Sequence, residues 1–461
     1  MTDYTRQTGL LTRLDALAAA VGATVDVGDG GSEARSAAVE SVTSDSRQAR
    51  PGDLFAATPG EKAHGAVFAA SAIEAGASAV LTDAEGRDIL RASGGRSVPV
   101  LVVDDPRAAV GKAAALILGE PAAGLDSYAV TGTNGKTTTA YMVESILCAL
   151  GRKPGLIGTV EIRLAGMSVP ARLTTPMPDE LQSYLAFHRR GGGTDVVMET
   201  SSHALVQGRS DPVTFTVAGF TNLTQDHLDF HGTMEAYYQA KASLFTPERA
   251  RNAVVSVDGE YGRRLLAECA PRLEGEVAAL AVGSDLPDLP DGVVGWKAVH
   301  RGGSSFVLES TDGRRLATST SLPGDFNVAN AALAAVMAMT AGHAPEELAR
   351  ALPEGINPAV PGRMEVLNAR PRVIVDFAHN TEALVNAMKA LRPSTEGRLV
   401  VLTGSAGDRD KGKRPAMGAA VARYGDLVYI TDDDPHDEDP AVIRAAVIEG
   451  TRGFDTPVVE I

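Results

Sequence analysis

The chain is poor in cysteine, in cationic side chains and in long apolar runs, and each shortage removes a class of protein. Two cysteines among 461 residues, Cys148 and Cys269, cannot build a disulfide framework. Neither has metal-ligand neighbours beside it, so both read as buried thiols. Lysine and arginine number 43 against 58 aspartates and glutamates, a net charge of −15. The chain therefore lacks the basic surface that grips phosphate backbones, and nucleic acid is not an expected partner. A small anionic ligand stays open, because one basic pocket fits within an acidic protein. No apolar run approaches the roughly 20 residues of a membrane span. The start, "MTDYTRQTGLLTRLDALAAA", has an early acid and no basic-then-apolar leader. A cytoplasmic protein with no membrane partner is expected, without repeats or low-complexity tails.

What is present is an alternation of short Val/Ile-rich runs with Ala/Leu-rich helical stretches, over a length that suggests roughly three domains. In "VLVVDDPRAAV" a strand-like run, Pro99 to Val103, meets Asp104, Asp105 and Pro106, which places a first boundary near 105. Beyond it "SYAV", "DVVME" and "FTVAGF" read as strands. Val143, Ile146, Leu147 and Leu150 mark one helix face before Gly151 closes it. That alternation implies a parallel sheet flanked by helices. After "GINPAVPGRMEV" the pattern restarts near Ile356 with "RVIVDFAHN", "RLVVLTGSAGDRDKGKR" and "DLVYITDDDP". The expected organisation is α/β in three parts, 1–105, 106–355 and 356–461. The polar clusters fall at the carboxyl ends of the strands, where such sheets bind ligands.

The sharpest local signal is "VTGTNGKTTTAYMVESIL", which opens at Val130. A strand runs into a glycine-bearing turn and then a helix starting near Lys136, so a phosphate can sit on backbone N–H groups at the helix N-terminus. Lys136 would reach the β/γ-phosphates and the Thr137 hydroxyl would ligate Mg²⁺. The usual phosphate loop has a glycine where Val130 stands, so this loop is shorter than the standard one. A plain Gly/Asn turn before a capped helix is the bland alternative. Glu199 ends "VVMET", where a carboxylate can hold Mg²⁺ or cap a helix. Asp226, His227, Asp229 and His231 crowd into "DHLDFH", followed by Lys241. The pattern leaves a transition-metal site and a solvated surface both open.

Taken with "SDSRQARPGDLFAA", "LTTP", "METSSHALVQGR", "NVAN", "PGRMEV" and "GDRDKGKRPAMG", these stretches resemble the Mur ligase family over nearly the whole chain. Within it they resemble the MurE type, which adds the third peptide residue to UDP-N-acetylmuramoyl-L-Ala-D-Glu. The family's nucleotide loop is GTNGKT, which accounts for the short loop. The resemblance implies a three-domain α/β architecture: a UDP-sugar-binding N-terminal domain, a central P-loop-type parallel sheet and a Rossmann-like C-terminal domain. It implies an ATP-dependent ligase, a monomer, that makes an acyl phosphate from a carboxylate and couples it to an amine with Mg²⁺. By the same resemblance Gly132, Thr133, Asn134, Gly135, Lys136, Thr137, Thr138, Asn327 and Arg363 bind ATP. Thr137 and Glu199 hold one Mg²⁺ and His227 a second, with Glu199 shared, and Lys241 carries a carbamate that serves as a metal ligand. Lys136, Glu199, His227 and Lys241 are the catalytic set. Ser44 and Ser46 match uridine-site positions, and Thr174, Thr175, Ser202, Gln207 and Arg209 match those that hold the muramoyl dipeptide.

The amino-acid motif departs from the family. The DNPR of enzymes that use meso-diaminopimelate aligns with Asp433, Asp434, Pro435 and His436, which removes a permanent cation and adds an acid; Arg409 of "GDRDKGKRP" is retained. Thr381 of "DFAHNTEAL" stands where the family has proline. The chain ends at "TPVVEI", ahead of the final strand and GKGHE motif that the resemblance places after it, so the third domain is expected to be incomplete. The expectation is a MurE-type ligase for an amino acid other than diaminopimelate. The alternatives are a diaminopimelate ligase despite the changes and a MurE relative of specialised metabolism acting on another carboxylate. A non-catalytic nucleotide-sugar binder is disfavoured by the intact catalytic set, and a folylpolyglutamate-type ligase by "SDSRQARPGDLF".

Overall fold

A computed structural model of the chain describes residues 7–28, 37–60, 62–93 and 98–461. The acid-bearing start at 1–6 lies outside them. Among the described residues no helix is long and apolar enough to cross a membrane. The chain forms two compact units. One comprises 1–129, 152–216 and 246–251; the other comprises 130–151, 217–245 and 252–461.

The first unit opens with a five-stranded sheet in the order 24–26, 100–102, 79–82, 53–56, 41–43. The edge strand Thr24–Asp26 is antiparallel and the others are parallel. Every residue of Asp53–Ala56 is buried, as a strand covered on both faces requires. Alternation sends its side chains to opposite sides. Leu54 and Ala56 join Leu14, Leu17 and Leu101, whereas Phe55 joins Ala69, Ala72 and Leu90. The helix Pro106–Ile117, capped by Asp105, also packs into the first of these cores through Val110, Ala113 and Ile117. The same unit carries Pro154–Ile157, parallel to Asp195–Glu199, with Glu161–Leu164 and Met167–Pro170 added antiparallel.

In the second unit 253–256, Val277–Ala281 and Val294–Gly302 are parallel, and Ser305–Ser310 and Arg315–Ser319 continue antiparallel. The parallel strands expected are present, and antiparallel strands added beside them make the arrangements mixed. The cause is loop length, since connections of a few residues return a strand beside its predecessor and only longer crossovers make parallel neighbours. Ala165 and Gly166, both at positive φ, make the two-residue turn that suits a hairpin. The helix Asp325–Thr340, nearly all buried, packs on Lys136–Ala149.

Further along, Val400–Thr403, Leu427–Ile430 and Val458–Glu460 form a parallel three-stranded sheet. Helices Thr381–Leu391, Arg414–Tyr424 and Pro440–Glu449 supply Leu384, Met417 and Val447 to its core. "RVIV", expected to open this parallel set, instead pairs antiparallel with Glu365–Ala369, because only Arg370 and Pro371 separate the two strands. Thr381 in place of the family's proline does not disturb the next helix. Asn380 caps it, its Oδ1 accepting from the Ala383 N–H at 3.0 Å.

Candidate active site

In the second unit the strand that ends at Thr131 leads into the turn 132–135, and the helix Lys136–Ala149 starts at once. Gly132 and Gly135 take φ of 151° and 89°. A Cβ on Gly132 would meet Thr221 Oγ1 at 1.8 Å, and one on Gly135 would meet Asn330 Oδ1 at 2.4 Å. Only glycine serves at either place. Lys136 Nζ donates to the carbonyls of Gly132 and Thr133 at 3.0 and 2.9 Å, so the ammonium lies over its own loop beside the helix N-terminus. Thr137 is buried and its Oγ1 accepts from Arg363 Nη2 at 3.0 Å.

Asn134 is held from several sides. Its N–H donates to Asn222 Oδ1 at 2.9 Å, its Nδ2 to Glu382 Oε2 at 2.8 Å, and its Oδ1 accepts from Asn380 Nδ2 at 3.0 Å. Glu382 also accepts from Thr224 Oγ1 at 2.7 Å. A cavity of about 830 Å³, open solvent included, adjoins this loop; Gly135, Thr138, Phe326, Asn330, Arg363 and Phe377 help to line it. The Arg363 guanidinium lies 4.5 Å from the Phe377 ring centre. Asn327 stands behind the lining, bonded to the Pro323 carbonyl and to Asn330. Sequence reading singled out Asn327, and missed Asn330, Asn380 and Glu382.

Lys241 is 1% exposed and donates to the Gly132 carbonyl at 2.7 Å. Burial, with Lys136 close by, pushes its pKa well below the ordinary lysine value; Asp226 opposes the shift. The Tyr237 ring lies 4.6 Å from Lys241 Nζ and packs edge-on to His227 at 6.0 Å, while its hydroxyl is 3.1 Å from Thr133 Oγ1. His227 and Lys241 thus share one tyrosine beside the turn 132–135. Asp226 is the buried centre of this region, with His379 Nε2 at 3.3 Å and Lys413 Nζ at 3.4 Å. Burial alone would raise its pKa, but the His379 hydrogen bond and the charges of His227 and Lys413 outweigh it and hold the carboxyl well below the usual range. Asp229 is exposed and His231 stacks on Tyr237 at 4.9 Å. Among the described residues no three His, Cys, Asp or Glu side chains gather as a metal site. Of the groups named here the Thr137 hydroxyl is of the oxygen class that Mg²⁺ prefers, whereas an imidazole and an unmodified lysine are not.

The first unit gathers a separate polar cluster. Glu199, buried at the end of its strand, accepts from the Thr159 N–H at 2.7 Å and from Thr159 Oγ1 at 3.1 Å. Thr159 Oγ1 lies 3.1 Å from Thr174 Oγ1, and Thr175 Oγ1 donates to the Glu199 carbonyl at 2.9 Å. Arg209 donates to Gln207 Oε1 at 2.8 Å and to the Thr175 carbonyl at 3.3 Å. Burial first, and then Arg107, lower its pKa, so it is a guanidinium to which an anion would be welcome. Ser202 begins the adjoining helix Ser202–Val206. Ser44 is placed by a different contact, its N–H donating to Asp179 Oδ2 at 2.8 Å. Asp179 is a residue the sequence did not flag; burial raises its pKa. Ser46 opens the turn Ser46–Gln48, capped by Asp45.

Arg409 is exposed in the loop after Val400–Thr403, and Asp433, Asp434, Pro435 and His436 follow Leu427–Ile430. Asp434 and His436 have φ of 42° and 50°, and Asp408 has 50°. His436 Nε2 lies 3.5 Å from Asp434 Oδ2, and the Asp434 side chain is 71% exposed.

Three family models match the chain: Mur ligase family, catalytic domain over 38–117; Mur ligase middle domain over 130–338; and Mur ligase, glutamate ligase domain over 362–460. The UDP-N-acetylmuramoyl-L-alanyl-D-glutamate–2,6-diaminopimelate ligase of Streptomyces coelicolor is 46% identical over 90% of this chain and 80% of its own length. The UDP-N-acetylmuramyl-tripeptide synthetase of Leifsonia xyli is 42% identical over 87% and 77%. Among solved structures, one of a UDP-N-acetylmuramoyl-L-alanyl-D-glutamate–2,6-diaminopimelate ligase is similar with a TM-score of 0.66 and 29% identity, over 92% of this chain and 85% of that one.

Proposed function

We propose, from the premise that this chain belongs to the Mur ligase family and is of its MurE type, that it couples diaminopimelate to the D-Glu carboxylate of UDP-N-acetylmuramoyl-L-Ala-D-Glu at the expense of ATP. The carboxylate attacks the γ-phosphorus, ADP leaves, and an acyl phosphate forms. The neutral amine then attacks the acyl carbon, phosphate leaves, and the amine's proton passes to solvent. The difficulty is anion meeting anion, which fixed cations and helix-end dipoles relieve.

In this reading Lys136 faces the transferring phosphoryl group, the turn 132–135 cradles the triphosphate, and Arg363 and the cavity beside Phe377 take the rest of the nucleotide. Asn327 acts through Asn330. Thr137, His227 and a carbamylated Lys241 are proposed ligands of Mg²⁺, and Glu199 keeps the same proposed role; the ion would neutralise phosphate charge. The buried lysine with a depressed pKa supports the carbamate, since a neutral amine is the form that adds CO₂. Thr174, Thr175, Ser202, Gln207 and Arg209 are proposed to hold the dipeptide, Ser44 and Ser46 the uridine, and Arg409 with 433–436 the amino acid. The observation that carries the reading is the glycine turn with Lys136 over it at a helix N-terminus. ADP release that requires both the muramoyl dipeptide and an amino acid tests it.

The names of the relatives favour diaminopimelate, against the expectation drawn from Asp434 and His436. A second reading, lysine or ornithine, keeps one observation in its favour: an imidazole–carboxylate pair stands where a guanidinium would meet the distal carboxylate.

A further inference from the structure

The loops 404–409 and 433–438 are joined by an ion pair, its arginine buried and its glutamate half-buried, that the reaction outlined above does not use. The Arg414 side chain is 2% exposed. Its Nη1 and Nη2 donate to Glu438 Oε2 and Oε1 at 3.1 and 2.9 Å, and Nη2 also reaches the Ala406 carbonyl at 3.3 Å. Glu438 Oε1 accepts in addition from the Asp408 N–H at 2.7 Å, and Lys411 Nζ lies 3.1 Å from Oε2. Around this pair the loops interlock. The Gly407 N–H donates to the Asp434 carbonyl at 3.0 Å, and the Asp437 N–H donates to Asp408 Oδ2 at 3.1 Å. A Cβ on Gly407 would stand 1.7 Å from the Pro435 carbonyl oxygen, so the backbones are in contact.

Within this interlock Asp408, Asp434 and His436 all hold positive φ without being glycine. Such residues persist only where the surroundings over-determine them. The bidentate guanidinium–carboxylate contact is the strongest tie available for that purpose, being directional and charge-assisted. The Glu438 carboxyl is held down to about 2, by the Arg414 hydrogen bond first of all.

We propose that Arg414 and Glu438 are positioning residues of the amino-acid site: the pair clamps 433–436 onto 406–409, so that Arg409, Asp434 and His436 present one fixed geometry to the incoming amino acid. This rests on the reading that those loops form the amino-acid site. Neither Arg414 nor Glu438 touches substrate; each acts through the loops.

Two measurements on the full chain separate the clamp from the site. Hydrogen exchange at 433–437 reads the clamp directly, and steady-state ADP release, with the muramoyl dipeptide and either diaminopimelate or lysine, reads the site. Glu438→Gln is expected to speed exchange at 433–437 and to raise the amino-acid KM about tenfold, the scale of a lost charge-assisted bond, with the ATP KM nearly unchanged. Arg414→Lys, which keeps the charge and loses the fork, should do the same to a smaller degree. The double variant should be no worse than Glu438→Gln, because both remove one contact. Unchanged exchange in both single variants overturns the clamp. Faster exchange with an unchanged amino-acid KM overturns the placing of the amino acid at these loops. An equal rise in the ATP KM overturns the proposal by marking a general loosening. If Glu438→Gln does not fold, Arg414→Lys carries the same test.

Discussion

The turn 132–135 and the loops 406–409 and 433–436 both turn their backbones through the left-handed region, by different means. At 132–135 glycine supplies the turn, and neighbouring side chains leave no room for a Cβ. At 408, 434 and 436 aspartate and histidine supply it, each at a cost of about 1 kcal/mol, and an ion pair holds them. On the proposed reading the first loop meets one invariant group, a triphosphate, and such a loop can be built into the backbone itself. A loop that must choose among amino acids needs side chains at the turning positions, and then something outside the loop has to fix them.

The largest effect expected is at the first of these. Lys136→Ala removes the cation proposed to face the transferring phosphoryl group, and kcat for ADP release should fall by about a hundredfold to a thousandfold in a protein that still melts cooperatively. Full activity would break the comparison at its stronger end. Lys241→Ala should lose activity to a similar degree and recover part of it on addition of a small carboxylate. The intact protein should show the mass of one added CO₂ on Lys241.

At the loops 406–409 and 433–436 the change is in preference. On the lysine or ornithine reading, His436→Arg with Asp434→Asn raises use of diaminopimelate relative to lysine by about tenfold to a hundredfold in a competition assay, because a bidentate donor replaces an imidazole and an added acid; on the diaminopimelate reading little is gained. A protein that already prefers diaminopimelate strongly would show little further gain, and some other residue would then supply the missing charge.

Backbone substitutions sharpen the contrast. Gly135→Ala meets both the positive φ and the Asn330 side chain, and should cost about 1–3 kcal/mol of unfolding free energy, together with nucleotide affinity. His436→Gly should leave stability within about 1 kcal/mol, since relief of the left-handed cost offsets the added chain entropy. The smallest effect is in pH. The Glu438 carboxyl is depressed when folded, so its stabilisation is present above the ordinary glutamate value near 4.5 and is lost as pH falls toward about 2. Amide exchange at 433–437, corrected for its intrinsic pH dependence, should therefore gain over that window in the intact protein and not in Glu438→Gln.

These contrasts also mark what the sequence made legible. Strands at 126–131, 195–199 and 215–220 and the helix from Lys136 follow from apolar periodicity and glycine, which are local properties. The antiparallel additions do not follow from periodicity, because pairing direction depends on turns such as Ala165–Gly166 and Arg370–Pro371. At the site, residue types within one motif could be read, and resemblance supplied the roles. The Asn134–Glu382 and Ser44–Asp179 hydrogen bonds join residues 248 and 135 positions apart, and no spacing rule reaches across such distances. Arg414 lies inside "GDRDKGKRPAMG" and Glu438 just after 433–436, yet nothing local distinguishes a clamping ion pair from two solvated charges.

The most direct test is ADP release by the purified protein with ATP, Mg²⁺ and UDP-N-acetylmuramoyl-L-Ala-D-Glu, with diaminopimelate, lysine or no amino acid. ADP in step with tripeptide, strongly dependent on the amino acid and greatest with diaminopimelate, is the predicted result. ADP released equally without acceptor or amino acid, or no ADP with any combination, would contradict a third-residue ligase.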